Sequence, residues 1–94
     1  KISVELISEG TVKSTIMNSR KITETVIRAN AANVILLHNH PSGIAAPSSK
    51  DVDATMGIVS AMKAVGIKIT DHIIIGNGDD YFSFRANEKW KCIF

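Results

Sequence analysis

The sequence predicts an α/β domain built on a mixed sheet. Two apolar runs of strand length, residues 34–38 and 67–75, are each preceded by a stretch of helical periodicity. Short alternating segments flank this set at both ends. The resulting order is β-β-α-β-α-β-β, in which the helices join strands and cover the sheet.

Each element has its own signal. Residues 2–7, ISVELI, alternate and carry β-branched side chains, as a strand does. SEG then bends the chain, and TVKSTIM sets Val12, Ser14 and Ile16 against Thr11, Lys13 and Thr15, the period of a second strand. Ser19 suits the N-cap of RKITETVIRANAA, where Ile22, Val26 and Ile27, with Ala31 beyond, form one apolar face. VILLH is a continuous apolar run, which predicts a central strand covered on both faces. Pro41, Gly43 and Pro47 mark a loop, with Gly43 at a position that calls for positive φ. Ser48 opens a second helix, Val52, Met56, Val59 and Met62 form its buried stripe, and Gly66 stops it. IKITDHIII reads as a further buried strand closed by GNGDD, and YFSF as a last short strand.

Composition narrows the classes. The 94 residues suit one domain, 1–94, and 45% hydrophobic content allows a small core. The chain opens on Lys1 rather than methionine, as the C-terminal part of a longer protein would. No apolar run approaches the roughly 20 residues that span a bilayer, and no signal-peptide pattern is present. Eleven basic and nine acidic residues leave a net charge of +2, scattered along the chain, which is too mild to argue for nucleic acid. Cys92 is the single cysteine, so an internal disulfide and a cysteine-based zinc cluster are excluded. It is expected to act as a small hydrophobe in an apolar tail. A cytoplasmic location without membrane attachment fits these features.

The chemistry concentrates in LLHNHPSGIAAPSSKDV, residues 36–52. On a strand, side chains two apart point the same way, so His38 and His40 face one side with Cα atoms roughly 6.5 Å apart. Asp51 falls in the first turn of the second helix, and the proline-restricted loop can bring that turn back over the strand end. Two imidazoles and one carboxylate suit Zn²⁺ and leave a fourth position open, the pattern of a catalytic site. Simpler readings exist for each residue taken singly. H-x-H alone is a weak signal, Ser48 and Asp51 have the spacing of a capping box, and the prolines can serve only a turn. The loop leaves a strand end and feeds a helix N-terminus, where α/β sheets commonly place ligands.

HNHPSGIAAPSSKD matches H-x-H-P-x6-S-x-x-D and so resembles the JAMM (MPN+) metalloprotease superfamily. HNHPSG, the earlier EGTV and the later DHIIIG are similar to its RadC-type branch, from about Glu9 to Phe84. The resemblance implies a three-layer, cytidine deaminase-like α/β fold. It implies zinc held by His38, His40 and Asp51, with Ser48 steadying the oxyanion of a tetrahedral intermediate. It also calls for a glutamate as general base, ahead of the first strand of a β-hairpin. Glu5 and Glu9 come too late in the chain to match and read as solvated. The base is therefore either upstream of Lys1 in a longer protein or absent from the domain. The H-x-E and P-C-x-x-C of zinc deaminases are both missing, so base deamination is not expected.

His72, the third histidine, opens a buried apolar strand. It reads as a packed, hydrogen-bonded residue, with a fourth-ligand role or a supporting role toward a ligand histidine as alternatives. Asp71 is expected to hold local backbone, and Ser83 matches a family serine without a derived role. The function expected is that of a zinc-dependent hydrolase cutting a peptide, amide or isopeptide bond. The alternatives are a non-catalytic binding module, a DNA-repair-associated module and a metal-dependent phosphodiester hydrolase. The DNA reading has little support, since no basic stripe or aromatic platform accompanies the family's repair label. An edge strand left open by a missing N-terminal strand would allow a dimer.

Overall fold

The computed structural model describes residues 19–94. In chain order these form α1 (Ser19–Arg28), β1 (Asn33–Asn39), α2 (Ser49–Ala64), β2 (Lys68–Ile75), β3 (Tyr81–Ser83) and a closing 3-10 turn (Lys91–Ile93). The strands expected over residues 2–7 and 11–17, with Glu5 and Glu9, lie outside the described residues. The strands form a mixed sheet in the order β1-β2-β3. β1 runs parallel to β2, and β2 pairs antiparallel with β3. The α/β class and the mixed sheet are as expected from the sequence.

One irregularity in β2 governs much of the interior. Val34 pairs with Ile69 but Ile35 pairs with Asp71, so Thr70 is an extra residue opposite β1. Such a bulge is uncommon between parallel strands. It resets the alternation of β2, so that Ile69, His72 and Ile74 are all buried although the first two are three apart. The bulge is held by polar contacts. The Thr70 carbonyl accepts from the Arg85 guanidinium at 3.1 Å. Asp71 Oδ1 accepts from the His72 and Arg85 backbone N–H groups at 2.7 and 2.9 Å. Ser83 donates its hydroxyl to Asp71 Oδ2. Asp71 therefore holds local backbone as expected, and Ser83 acquires a role.

The apolar core has two parts. Ile22 and Val26 of α1, Leu36 of β1, Ile58, Val59 and Met62 of α2, and Ile67 and Ile69 form the larger cluster. Ala45, Val52, Ile74 and Phe84 form the smaller one, nearer the histidines. Both helices send side chains to the cluster that holds Leu36. Ile35 and Leu37, on the other face of β1, are 56% and 62% exposed. This corrects the expectation that residues 34–38 are covered on both faces, because the described helices pack on one face only. Two helix stripes are corrected likewise. Ile27 is 56% and Met56 49% exposed, while the buried stripe of α2 passes through Asp51 and Thr55 instead. Cys92 is exposed rather than packed in the tail.

The two helices end alike. Past α2, Gly66 (φ +79°) donates its N–H to Lys63 and Ile67 donates to Met62. Past α1, Asn30 (φ +53°) donates to Ile27 and Ala31 donates to Val26. Both are the paired bonds of a Schellman motif, with glycine or asparagine in the left-handed position. Gly66 stops its helix as predicted. Asn30 ends α1 at Arg28, earlier than the stretch reaching Ala32 that apolar periodicity suggests.

Candidate metal centre

The polar site forms where the C-terminal end of β1 meets the N-terminus of α2. β1 carries His38 and then, just beyond its last residue Asn39, His40, whose backbone N–H still bonds the Ile75 carbonyl at 3.0 Å. The strand period is thus preserved through His40, and both rings fall on one side. A turn closes at once, with Gly43 N–H donating to the His40 carbonyl at 2.9 Å. Gly43 has φ +86°, as its place in the loop required, and a Cβ there would strike the Asn77 side chain. The loop is seated on the β2–β3 turn. Asn77 N–H donates to the Gly43 carbonyl at 2.8 Å, and Ala45 N–H donates to Asp80 Oδ2 at 2.9 Å.

α2 then delivers Asp51. Ser48 is its N-cap, and the capping box is complete with aspartate in the position usually filled by glutamate or glutamine. Asp51 N–H donates to Ser48 Oγ at 3.1 Å, and Ser48 N–H donates to Asp51 Oδ2 at 2.7 Å. The cap reading and the ligand reading of Asp51 are thus compatible. The box fixes the carboxylate, and the fixed carboxylate faces the two rings.

The three donor groups converge. Ligand atoms of His38, His40 and Asp51 all lie within 4.8 Å of one another. His40 Nε2 is 3.1 Å from Asp51 Oδ2, and His38 Nε2 is 3.9 Å from Asp51 Oδ1. Donors around a tetrahedral ion bound at about 2.1 Å stand roughly 3.4 Å apart, a value these two distances bracket. Hydrogen-bond chemistry supports the fit. His40 Nδ1 lies 2.8 Å from the Ile44 carbonyl, which can only accept, so Nδ1 carries the hydrogen. In the neutral ring Nε2 then presents a lone pair to a carboxylate oxygen, a contact that a cation between them makes favourable. His38 Nε2 is buried and has no hydrogen-bond partner among the described residues. Buried polar atoms are rarely left in this state. These residues fit a bound metal ion.

The electrostatics agree. Burial pushes the His38 ring below its ordinary value, with His40 adding to the effect and Asp51 opposing it. Burial alone would raise the Asp51 carboxyl. The Ser48 backbone and hydroxyl, together with His38 and His40, outweigh it and hold the group below the usual carboxylate range. Unprotonated imidazole and ionised carboxylate are the forms that bind metal.

His72 stands outside this group of three, with its two ring nitrogens beside His38 and Thr55. It is fully buried, stacked between His38 and Phe84 with ring centroids 5.4 and 5.0 Å away. Burial, reinforced by His38, pushes its pKa down to about 4 against Asp51 and Asp71, so the ring is neutral near pH 7. Its Nε2 lies 3.3 Å from His38 Nδ1 and its Nδ1 2.6 Å from Thr55 Oγ1. Thr55 was missed by sequence reasoning. Its one signal is a hydroxyl in the buried stripe of α2, four residues after Asp51.

Comparison with known proteins places the chain in a family. The family model of the RadC-like JAB domain matches residues 1–90. A UPF0758 protein of Symbiobacterium thermophilum is 44% identical over 84 residues, which cover 89% of this chain and 36% of that protein. One from Desulforudis audaxviator is 46% identical over 76 residues, covering 81% and 33%. One from Pseudomonas syringae pv. tomato is 37% identical over 78 residues, covering 83% and 35%. The chain thus spans about a third of the length of these relatives.

Proposed function

The chain belongs to the RadC-like JAB domain family, and from that premise we propose that it is a zinc-dependent hydrolase acting on an amide or isopeptide carbonyl. The observation that carries the reading is the convergence of two imidazole nitrogens and an ionised carboxylate on one point, with His38 Nε2 buried and unpartnered. His38, His40 and Asp51 are the proposed ligands. A zinc ion in such a site supplies a Lewis acid for a carbonyl oxygen and brings the pKa of water toward about 7. Held by these three residues alone, the ion would remain accessible to water or substrate.

The chain's own residues give the rest. Ile44 orients His40 through Nδ1, and the capping box orients Asp51. Ser48 is the proposed donor to a developing oxyanion. Its hydroxyl already accepts from Asp51 N–H and lies beside the Asp51 carboxylate, so that role requires its hydrogen to rotate toward the substrate. No described residue is assigned as general base. The peptide-bond substrate class rests on the family resemblance, and zinc on the donor set.

Metal analysis of the purified chain tests the reading. Stoichiometric zinc is expected after reconstitution, with loss in His40→Ala and in Asp51→Asn. Absence of tight zinc in the unaltered chain overturns it. For activity, the chain and a longer version carrying its native upstream sequence are offered peptide and isopeptide substrates. Cleavage that a chelator stops and zinc restores is expected of the longer version. Zinc binding with no cleavage by either would remove the hydrolase reading and leave the metal site.

A further inference from the structure

We propose that Thr55 and His72 form an ordered hydrogen-bond relay that holds His38 with its hydrogen on Nδ1, so that Nε2 is presented to the metal. His72 is then a positioning residue for the site, and Thr55 sets its direction. The inference rests on the metal reading above and adds the device that aims one ligand.

The order follows from counting hydrogens. Thr55 Oγ1 lies 2.7 Å from the Asp51 carbonyl oxygen and 2.6 Å from His72 Nδ1. A carbonyl only accepts, and a hydroxyl has one hydrogen, so Thr55 donates to Asp51 and must accept from His72 Nδ1–H. A neutral imidazole carries a single N–H, which leaves His72 Nε2 as a bare acceptor. It faces His38 Nδ1 at 3.3 Å, so the His38 hydrogen sits on Nδ1. His38 Nε2 is left with a buried, unshared lone pair and no hydrogen-bond partner among the described residues, 3.9 Å from Asp51 Oδ1. The relay starts on the backbone of Asp51 and returns to its side chain. Reversing any bond would ask the Asp51 carbonyl to donate or set two lone pairs against each other.

The fold supplies each part. The Thr70 bulge turns His72 to the same interior side as Leu36 and His38. The Phe84 ring lies 3° from parallel to His72 and fixes the plane of its imidazole. The two histidine ligands are thus held by different means, His40 by a loop carbonyl and His38 by a second histidine whose own orientation depends on α2. Groups that orient metal-binding histidines in this way commonly account for 10- to 100-fold in metal affinity.

The test uses the full chain and two readouts. Long-range ¹⁵N–¹H correlation spectra of the metal-free protein near pH 7 report the tautomer of each ring. Nδ1–H is expected for both His38 and His72, whereas free histidine in water favours Nε2–H. Finding either ring as Nε2–H overturns the proposal. Zinc affinity is then measured by competition with a chromogenic chelator. Thr55→Val keeps the shape, removes the hydroxyl and is expected to weaken binding by about 10- to 100-fold while changing the His72 tautomer. Thr55→Ser, and His72→Gln with an acceptor at the distal position, are expected to recover most of the loss seen in Thr55→Val and His72→Leu. A folded Thr55→Val protein with unchanged tautomers and affinity overturns the positioning role. Failure of the unaltered chain to bind zinc overturns the metal reading and the positioning role together. The spectra separate that case from a wrongly assigned relay.

Discussion

The two halves of α2 share one buried stripe and use it for different purposes. Its C-terminal half contributes Ile58, Val59 and Met62 to the larger apolar cluster. Its N-terminal half contributes Asp51 and Thr55, buried and polar. Apolar burial is non-directional, so the C-terminal half needs only volume and fit. Polar burial is costly unless every group is bonded, so the N-terminal half needs partners at fixed positions. Those partners come from the Ser48 cap, the helix's own backbone and the histidines of β1 and β2. One half anchors the helix, and the other uses that anchorage to hold a carboxylate still.

Substitutions at either end separate the two roles. The largest effect is expected from Asp51→Asn, which keeps an oxygen acceptor for the cap but removes the charge. Bound zinc should be lost from metal analysis while circular dichroism shows an intact fold. Met62→Ala should do the reverse. Emptying a fully buried site typically costs about 2–5 kcal/mol, read as a lower denaturation midpoint, and zinc stoichiometry should stay at that of the unaltered chain.

Acid should act on the buried polar groups at and beside this half of α2. The folded pKa of His72, about 4, lies below its ordinary 6.5, so the unfolded chain takes up this proton first as pH falls. Stability is then complete above pH 6.5, declines toward pH 4 and levels off below it, by on the order of 3 kcal/mol. Asp51 is also lowered, so it adds a further loss as pH falls below its usual range. Urea midpoints of the chelator-treated chain between pH 7 and 3 check the sign. The smallest effect is expected from Ser48→Ala. Losing the cap should cost about 1 kcal/mol, read as a lower melting temperature, with zinc affinity changed by only a few-fold. A large affinity loss would show that the Ser48 hydroxyl, and not only its backbone N–H, sets the carboxylate geometry.

Much of this arrangement was legible from local rules. His38 and His40 follow from the two-residue period of a strand. Asp51 follows from a helix that starts at Ser48, and Gly43 and Gly66 from positions needing positive φ. What was hidden depended on contacts between distant segments. Ile35 and Leu37 are as apolar as Leu36, and only the placement of the helices decides which face is covered. Met56 and Thr55 compete for one stripe, and the hydroxyl lies inside, where it donates to the Asp51 carbonyl and His72 Nδ1 donates to it. The bulge at Thr70 leaves no apolar signature, since IKITDHIII scans as a continuous strand. Without the bulge, strict alternation gives Ile69 and His72 opposite faces.

The same bulge makes chain length a chemical variable. A protein lacking Thr70 would pair β1 with β2 more regularly and retain every ligand residue named above. With Thr70 gone, Ile69 and His72 would stand two apart and share the interior face, so His38 would keep its acceptor. A single-residue deletion here would thus repair the ladder and spare the centre, whereas keeping Thr70 in an unbulged ladder would turn His72 away from His38.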